Sequence, residues 1–310
     1  MTRAIVRRLV MLVLMLFVVS VVAFLIPYGT GQDPAMAVLR SRVAERDPDP
    51  EVIEAIRVEL GLDQPLVTQY LEWLGRALHG DFGVSYVSGN EVGDLIGDAL
   101  VVSLTLTVVA LTVSAIVSVP LGILAALKPG GRLDNTITAL TQTGVAIPSY
   151  WLGPVAILVF ALWLGWLPSA GWKGPAYIIL PAFTLALRPI AYFTRMTRAA
   201  MLDVLSAPYI TAARARGLTL YQTILRHGLR NSMIPVVTLF ALWFAALLGG
   251  SVVVEVIFAI PGMGRLMYDG VVNADIPVIQ AGLMAIVGLA IVINTATDIL
   301  YTFLNPSIRL

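Results

Sequence analysis

Groups able to do acid–base, nucleophilic or metal chemistry are sparse in this chain, and their spacing excludes most of what they could do. There is no cysteine, which removes thiolate chemistry, disulfides and cysteine-held metal. The two histidines, His79 and His227, lie far apart and form no metal-binding spacing, so no metal ligand is assigned. A phosphate-cradling loop ends in Gly-Lys. The only lysines, Lys128 and Lys173, follow Leu127 and Trp172, so the chain has no such loop and no means of hydrolysing ATP. Gly-x-Ser-x-Gly, His-Glu-x-x-His and a paired intramembrane aspartate are missing as well. No catalytic residue is assigned; the expectation is a protein that is not an enzyme and holds no cofactor of its own.

Three ionisable residues fall inside or beside long apolar runs: Arg188 next to Pro189, then Glu255, then Asp298. A charge facing lipid costs several kcal/mol, so an ionisable group at depth needs a partner or a water-filled path. For Arg188 a path-lining role and a snorkelling one both stand. For Glu255 and Asp298 an interfacial place competes with a path role.

One further segment could do recognition chemistry. Arginines fill the stretch from Arg195 to Pro235, with Arg198, Arg214, Arg216, Arg226 and Arg230. Ser206 stands two residues ahead of Pro208, which reads as a helix start. Ala212, Ala213 and Ala215 favour a helix, and Gly217 is a natural stop. A short helix with small side chains lets a second protein approach closely, while its arginines can pair with carboxylates. The same arginines could instead only fix topology and touch lipid phosphates.

The elements that position these groups are transmembrane. Of 310 residues, 58% are hydrophobic and 13% charged, and the mean hydropathy is +0.87. Soluble domains carry about 25% charged residues. A bilayer core of about 30 Å takes roughly 20 apolar helical residues. Six stretches qualify: Leu9–Ile26, Leu100–Leu127, Ile137–Leu164, Tyr177–Phe193, Met233–Val256 and Val278–Leu304. The expected class is an all-α polytopic membrane protein of about six transmembrane helices, with a small extracytoplasmic segment after the first. The fourth stretch is the weakest, being short and holding Arg188 and two prolines.

Basic flanks mark the cytoplasmic side. Arg3, Arg7, Arg8, Lys128, Arg132, the arginines of 195–232 and Arg309 all fall on one side if six helices alternate. The other side holds thirteen acids between Asp33 and Asp98 together with Glu255, Asp269 and Asp275. Both termini are therefore expected to be cytoplasmic. Ala35-Met36-Ala37 resembles a signal-peptidase site, but the eighteen-residue apolar core is long for a signal and the site lies well downstream.

The chain divides into residues 1–27, a first span with a basic N-terminus; 28–98, an extracytoplasmic segment; and 99–310, a five-helix core with a cytoplasmic loop at 195–232. Within 28–98, Pro-Asp repeats at Asp47–Pro50 precede a helix from Glu51 to Leu60 that stops at Gly61, and a second runs from Leu66 to Leu78. This segment is expected either to cap the membrane helices or to remain a flexible tether. Ala245-x-x-x-Gly249 and Ala246-x-x-x-Gly250 put small residues on one face of the fifth span, for packing within the chain or against a second subunit. Pro120, Pro148, Pro181, Pro189 and Pro235 are expected to kink their helices.

Tyr209-Ile210-Thr211-Ala212-Ala213-Arg214-Ala215-Arg216-Gly217-Leu218 resembles the coupling loop of binding-protein-dependent ABC importers, which carries Glu-Ala-Ala-x-x-x-Gly. Thr211 stands where the glutamate would be, and Ala212, Ala213 and Gly217 are in register. The continuation His227-Gly228-Leu229-Arg230-Asn231-Ser232 resembles the dipeptide, oligopeptide and nickel permeases. So do Leu60-Gly61-Leu62-Asp63-Gln64-Pro65, Gly80-Asp81-Phe82-Gly83, Ile147-Pro148-Ser149-Tyr150-Trp151 and Ile257-Phe258-Ala259-Ile260-Pro261-Gly262-Met263-Gly264.

The resemblance covers nearly the whole chain and implies one permease subunit of a bacterial inner-membrane peptide importer. Nickel complexes and glutathione-like peptides are alternative cargoes, and an ion-coupled secondary transporter is the alternative mechanism. The implied partners are a second permease, two ATPase subunits that bind ATP and Mg, an extracytoplasmic substrate-binding protein and membrane lipid, with no nucleic acid. Tyr209, Thr211, Ala212, Ala213, Arg214, Arg216, Gly217 and Leu218 would meet the ATPase, and Arg188 and Glu255 would line the path.

Overall fold

Apolar runs that leave no backbone group to water can satisfy their amides only within a helix, and the computed structural model is helical accordingly. It describes residues 2–29, 35–36, 39, 50–59 and 61–304. Ala37, the acidic repeat at 47–49, Leu60 and Arg309 lie outside the described residues, as does the side chain of Asp298.

Among the described residues, four helices are long and apolar enough to cross a membrane: α1 (Thr2–Gly29), α4 (Val92–Leu127), α7 (Ala176–Leu205) and α13 (Ile276–Leu304). A fifth candidate is a bent pair, α5 (Arg132–Ala146) and α6 (Ser149–Ala156, continued as a π-helix over Ile157–Trp163), with 97° between its halves. The shorter apolar stretch Pro235–Gly250 lies in α10 (Leu229–Gly250). Five of the six sequence stretches fall on these elements; the fifth, Met233–Val256, starts in α10 and runs past its end at Gly250 into a separate short helix, Val252–Ile257. The fourth is not short, because α7 runs on to Leu205 and takes Arg195 and Arg198 out of the loop.

The bend at 147–148 has a local cause. Proline excludes the preceding residue from the helical region, and Ile147 is extended at φ −80°, ψ 119°. Pro120, Pro181, Pro189 and Pro235 instead sit inside continuous helices.

The chain forms two compact units, Met1–Ser103 with Pro261–Leu310, and Leu104–Ile260. In the first unit α1 packs along α13. Helix α3 (Leu66–Leu78) is amphipathic and sets Trp73 into a small core with Ala23 and Phe24, against which Leu283 and Met284 pack. Tyr70 reaches Ser20 at 2.8 Å, and the Tyr28 hydroxyl donates to Gln69. Helix α2 (Pro50–Glu59) and α3 are each followed by a left-handed glycine, Gly61 and Gly80. A second core joins Val92, Ile96 and Ala99 to Met263 of α12 (Met263–Val272) and to Val278 and Ala281 of α13.

The loop between α3 and α4 is pinned by one carboxylate. Asp275, 3% exposed, accepts from Ser85 Oγ at 2.5 Å and from the backbone amides of Tyr86 at 3.1 Å and Val87 at 3.5 Å. Asp275→Ala removes the acceptor for both amides. They should then exchange with deuterium about tenfold faster, while amides of α13 stay protected. Unchanged exchange at Tyr86 and Val87 would show that the loop is held by something else.

In the second unit, α4 lays Ser114, Gly122 and Ala126 against α7, on a line with Ala110 and Ser118 that is buried at every fourth residue. The hydroxyl of Ser114 donates to its own Ala110 carbonyl at 2.6 Å and to the Ala186 carbonyl of α7 at 3.2 Å. The small face expected to pack on the fifth span is different: Ala246, Gly249 and Gly250 are exposed, and a side chain added at Gly250 would meet nothing within 4 Å.

Candidate functional site

Between α7 and α10 the chain makes two short helices, α8 (Pro208–Ala215) and α9 (Leu220–Thr223, continued as a π turn over Ile224–Gly228). Helix α8 starts at proline because Ala207 ahead of it is extended at ψ 143°, the conformation a following proline demands. The sequence pointed to Ser206 as the cap, whereas Ala207 occupies that position. Ser206 closes α7, and its hydroxyl donates back to the Asp203 carbonyl at 2.8 Å.

The end of α8 follows the sequence. Gly217 takes φ +91°, its amide bonds the Arg214 carbonyl at 2.9 Å, and the Leu218 amide bonds that of Ala213 at 3.4 Å. This 5→2 and 6→1 pair is the Schellman closure. Open space surrounds the Gly217 Cα, so the backbone angle and not crowding demands glycine. Helix α9 opens with a reciprocal capping box between Thr219 and Gln222.

The two faces of α8 divide cleanly. Ile210 and Ala213, three apart, are buried at 2% and 3%. Tyr209, Thr211, Ala212, Arg214, Arg216 and Gly217 are exposed, and Leu218 is half-buried. Ala213, expected at the contact, thus anchors the helix to its own chain. The exposed face carries two guanidinium groups and no acid. Arg216 Nε donates to the Ala212 carbonyl at 3.3 Å, folding one guanidinium over the helix end, where the helix dipole favours a cation.

The helix that leads into this pair is itself tied down by an ion pair. Arg198, on α7, grips Asp134 of α5 with Nε and Nη2 each at 2.6 Å from a carboxylate oxygen. The Gly130 amide donates to the same carboxylate at 2.8 Å. Asp134 is 3% exposed. This bidentate pair ties the α4–α5 turn to α7 ten residues before α8 begins. The sequence reading missed it: Arg198 looked like one loop charge among several, and nothing local marks Asp134 as its partner 64 positions away.

Arg188 and Glu255 do not form one site. Arg188 lies on the exposed side of α7. Glu255, in α11 (Val252–Ile257), is fully buried and accepts from Ser251 Oγ at 2.7 Å. Among the described residues no three His, Cys, Asp or Glu side chains come together as a metal site.

Comparisons with known proteins agree along the length of the chain. Residues 118–310 match the family described as binding-protein-dependent transport system inner membrane component. Residues 1–107 match the corresponding N-terminal family. Among curated proteins, the glutathione transport system permease protein GsiC of Escherichia coli K12 is 41% identical over 305 residues, covering 98% of each chain. GsiC of Shigella flexneri serotype 5b gives the same identity and coverage. Among solved structures, an inward-facing form of the MetNI methionine ABC transporter aligns at TM-score 0.59 and 23% identity, over 68% of this chain and 96% of that one. An amino acid ABC transporter with histidines aligns at TM-score 0.51 and 15% identity, over 69% and 94%. These structural matches establish a shared fold.

Proposed function

The chain belongs to the binding-protein-dependent transport system inner membrane component family, and from that membership we propose that it imports small peptides, glutathione-like ones included, by coupling through α8 to a separate ATPase. It is a bacterial inner-membrane importer permease of the ABC type, and not an enzyme. The cargo class is supported by the relatives named for glutathione transport.

The observation that carries the coupling role is an exposed, acid-free helix end held by a Schellman closure, in a chain without a nucleotide-binding loop. Two ATPase subunits would bind ATP and Mg. A second permease would complete the path, and a binding protein would deliver cargo. The ATPase would contact Tyr209, Thr211, Ala212, Arg214, Arg216, Gly217 and Leu218, with Ala213 seating the helix from beneath. Because Thr211 leaves that face without a carboxylate, acids on the ATPase would meet Arg214 and Arg216. Residues 28–98 would lie outside the cell and both termini inside, as the basic flanks support.

Tagged purification in mild detergent tests this reading. The wild-type chain should bring ATPase subunits with it. Arg214→Glu combined with Arg216→Glu should lower ATPase recovery about tenfold, because a like-charge contact replaces an attractive one. Gly217→Asp should do the same by straining the φ +91° turn. Undiminished recovery in all variants would overturn α8 as the coupling element. ATP-driven uptake of labelled peptide by the reassembled complex tests the cargo.

A further inference from the structure

From Arg188 onward, α7 is enclosed by its own chain except along one line. Arg188, Tyr192, Arg195, Ala199 and Asp203 are exposed, at intervals of three or four residues, while the side chains between them are buried or half-buried; Ile179 and Phe183, also exposed, lie on another face. That spacing is a single face of a helix. Along it come a cation, an aromatic ring, a second cation, an alanine and then an acid.

Arg188 stands twelve residues into the helix, about 18 Å along the axis from Ala176, close to the middle of a 30 Å core. Lipid is a costly neighbour for a guanidinium at that depth, so the line faces water or a polar surface. Seven residues on, about 10 Å further along the axis, comes Arg195. Its guanidinium carbon sits 5.2 Å from the centre of the Tyr192 ring, which in turn neighbours the Trp243 ring at 5.2 Å. An aromatic backing orders a cation without neutralising it. No carboxylate interrupts the line between Arg188 and Arg195; the acid on it, Asp203, comes two turns later.

We propose that the Arg188–Tyr192–Arg195 line of α7 reads a carboxylate on the cargo, Arg188 receiving it at mid-membrane and Arg195 drawing it toward the far end of the helix. The inference rests on the peptide-import reading and narrows it to peptides with a free C-terminal carboxylate. A guanidinium fork matches a carboxylate with two parallel hydrogen bonds, whereas an amide offers it one acceptor and no charge. Two forks about 10 Å apart also suit a peptide bearing two carboxylates, as glutathione-like cargo does.

The test is ATP-driven uptake by the complete complex in proteoliposomes. It uses one labelled tripeptide as the free acid and as its C-terminal amide, each saturating the binding protein. Wild type should take up the acid faster. Arg188→Gln should cut acid uptake about tenfold, the worth of one charged hydrogen-bonded contact, and change amide uptake less than twofold. Arg195→Gln should act in the same direction, and Arg188→Lys should restore much of the preference. Equal losses for acid and amide would make Arg188 a seam residue and overturn the proposal. An unchanged ratio with normal uptake would also overturn it. If the wild-type complex moves neither peptide with ATP, the peptide reading itself fails, an outcome distinct from normal uptake with an unchanged ratio.

Discussion

Asp134→Ala should lower the stability of the Leu104–Ile260 unit by about 3 kcal/mol, read as a fall in the thermal unfolding midpoint in detergent. The substitution strands the Arg198 guanidinium and leaves the Gly130 amide without its acceptor. Removing one partner of a buried pair costs about 3–5 kcal/mol, and the lower figure applies because Arg198 keeps some water. Its side chain is 30% exposed against 3% for Asp134. Asp134→Leu with Arg198→Met should recover most of the loss, since an apolar pair leaves no charge uncompensated. A midpoint within a degree or two of wild type for Asp134→Ala would show that the pair holds nothing. The same change should lower uptake, because Arg198 lies on the helix that leads into α8.

Gly122→Val should be at least as damaging. A Cβ there would lie 2.5 Å from the Thr197 Cβ and 2.7 Å from the Thr194 carbonyl oxygen, and a carbonyl cannot rotate aside. Helix α7 would have to move off α4, at about 3 kcal/mol or more. The expected result is little folded protein in mild detergent and a dispersed profile on size exclusion. The same helix supplies a control. Gly97 has nothing within 4 Å of its Cβ position, so Gly97→Ala should gain roughly 0.5–1 kcal/mol from helix propensity. Equal behaviour of the two variants would refute close packing at Gly122 as the cause.

Long-range pairing was the part of this fold that local sequence could not carry. The apolar runs and the left-handed glycines were legible because each is a local property. Leu66–Leu78 came out with the same ends in sequence and structure, and Gly217 stops α8 as its type required. Ser206 misled because a hydroxyl near a helix boundary can close the preceding helix as readily as open the next. The 97° bend at 147–148 follows from a proline, but sequence does not say which proline breaks a helix and which rides inside one. The Ala110–Ala126 line was invisible for a different reason. In a helix that is apolar all round, the packed face is marked by small side chains and not by polarity, and small residues also occur on faces that stay open, as at Gly250. Of the recognition groups, Arg214 and Arg216 were found as exposed cations. The Asp134 partnership and the shared face of Arg188 and Arg195 needed the fold.

The every-fourth-residue line on α4 also fixes where this chain can change its length. A helix turns about 100° per residue, so one residue inserted between Ala110 and Ser114 would rotate Gly122 and Ala126 a quarter-turn off α7 and bring bulkier neighbours onto it. Deletion does the same in the opposite sense. Insertions are therefore tolerable beyond Ala126, in turns such as 128–131 and 164–175, and intolerable inside the line or between it and the Val92–Ala99 core on the same helix. A scan of single-codon insertions from Ala110 onward should yield no folded protein for about four turns and recover it in the turn at 128–131.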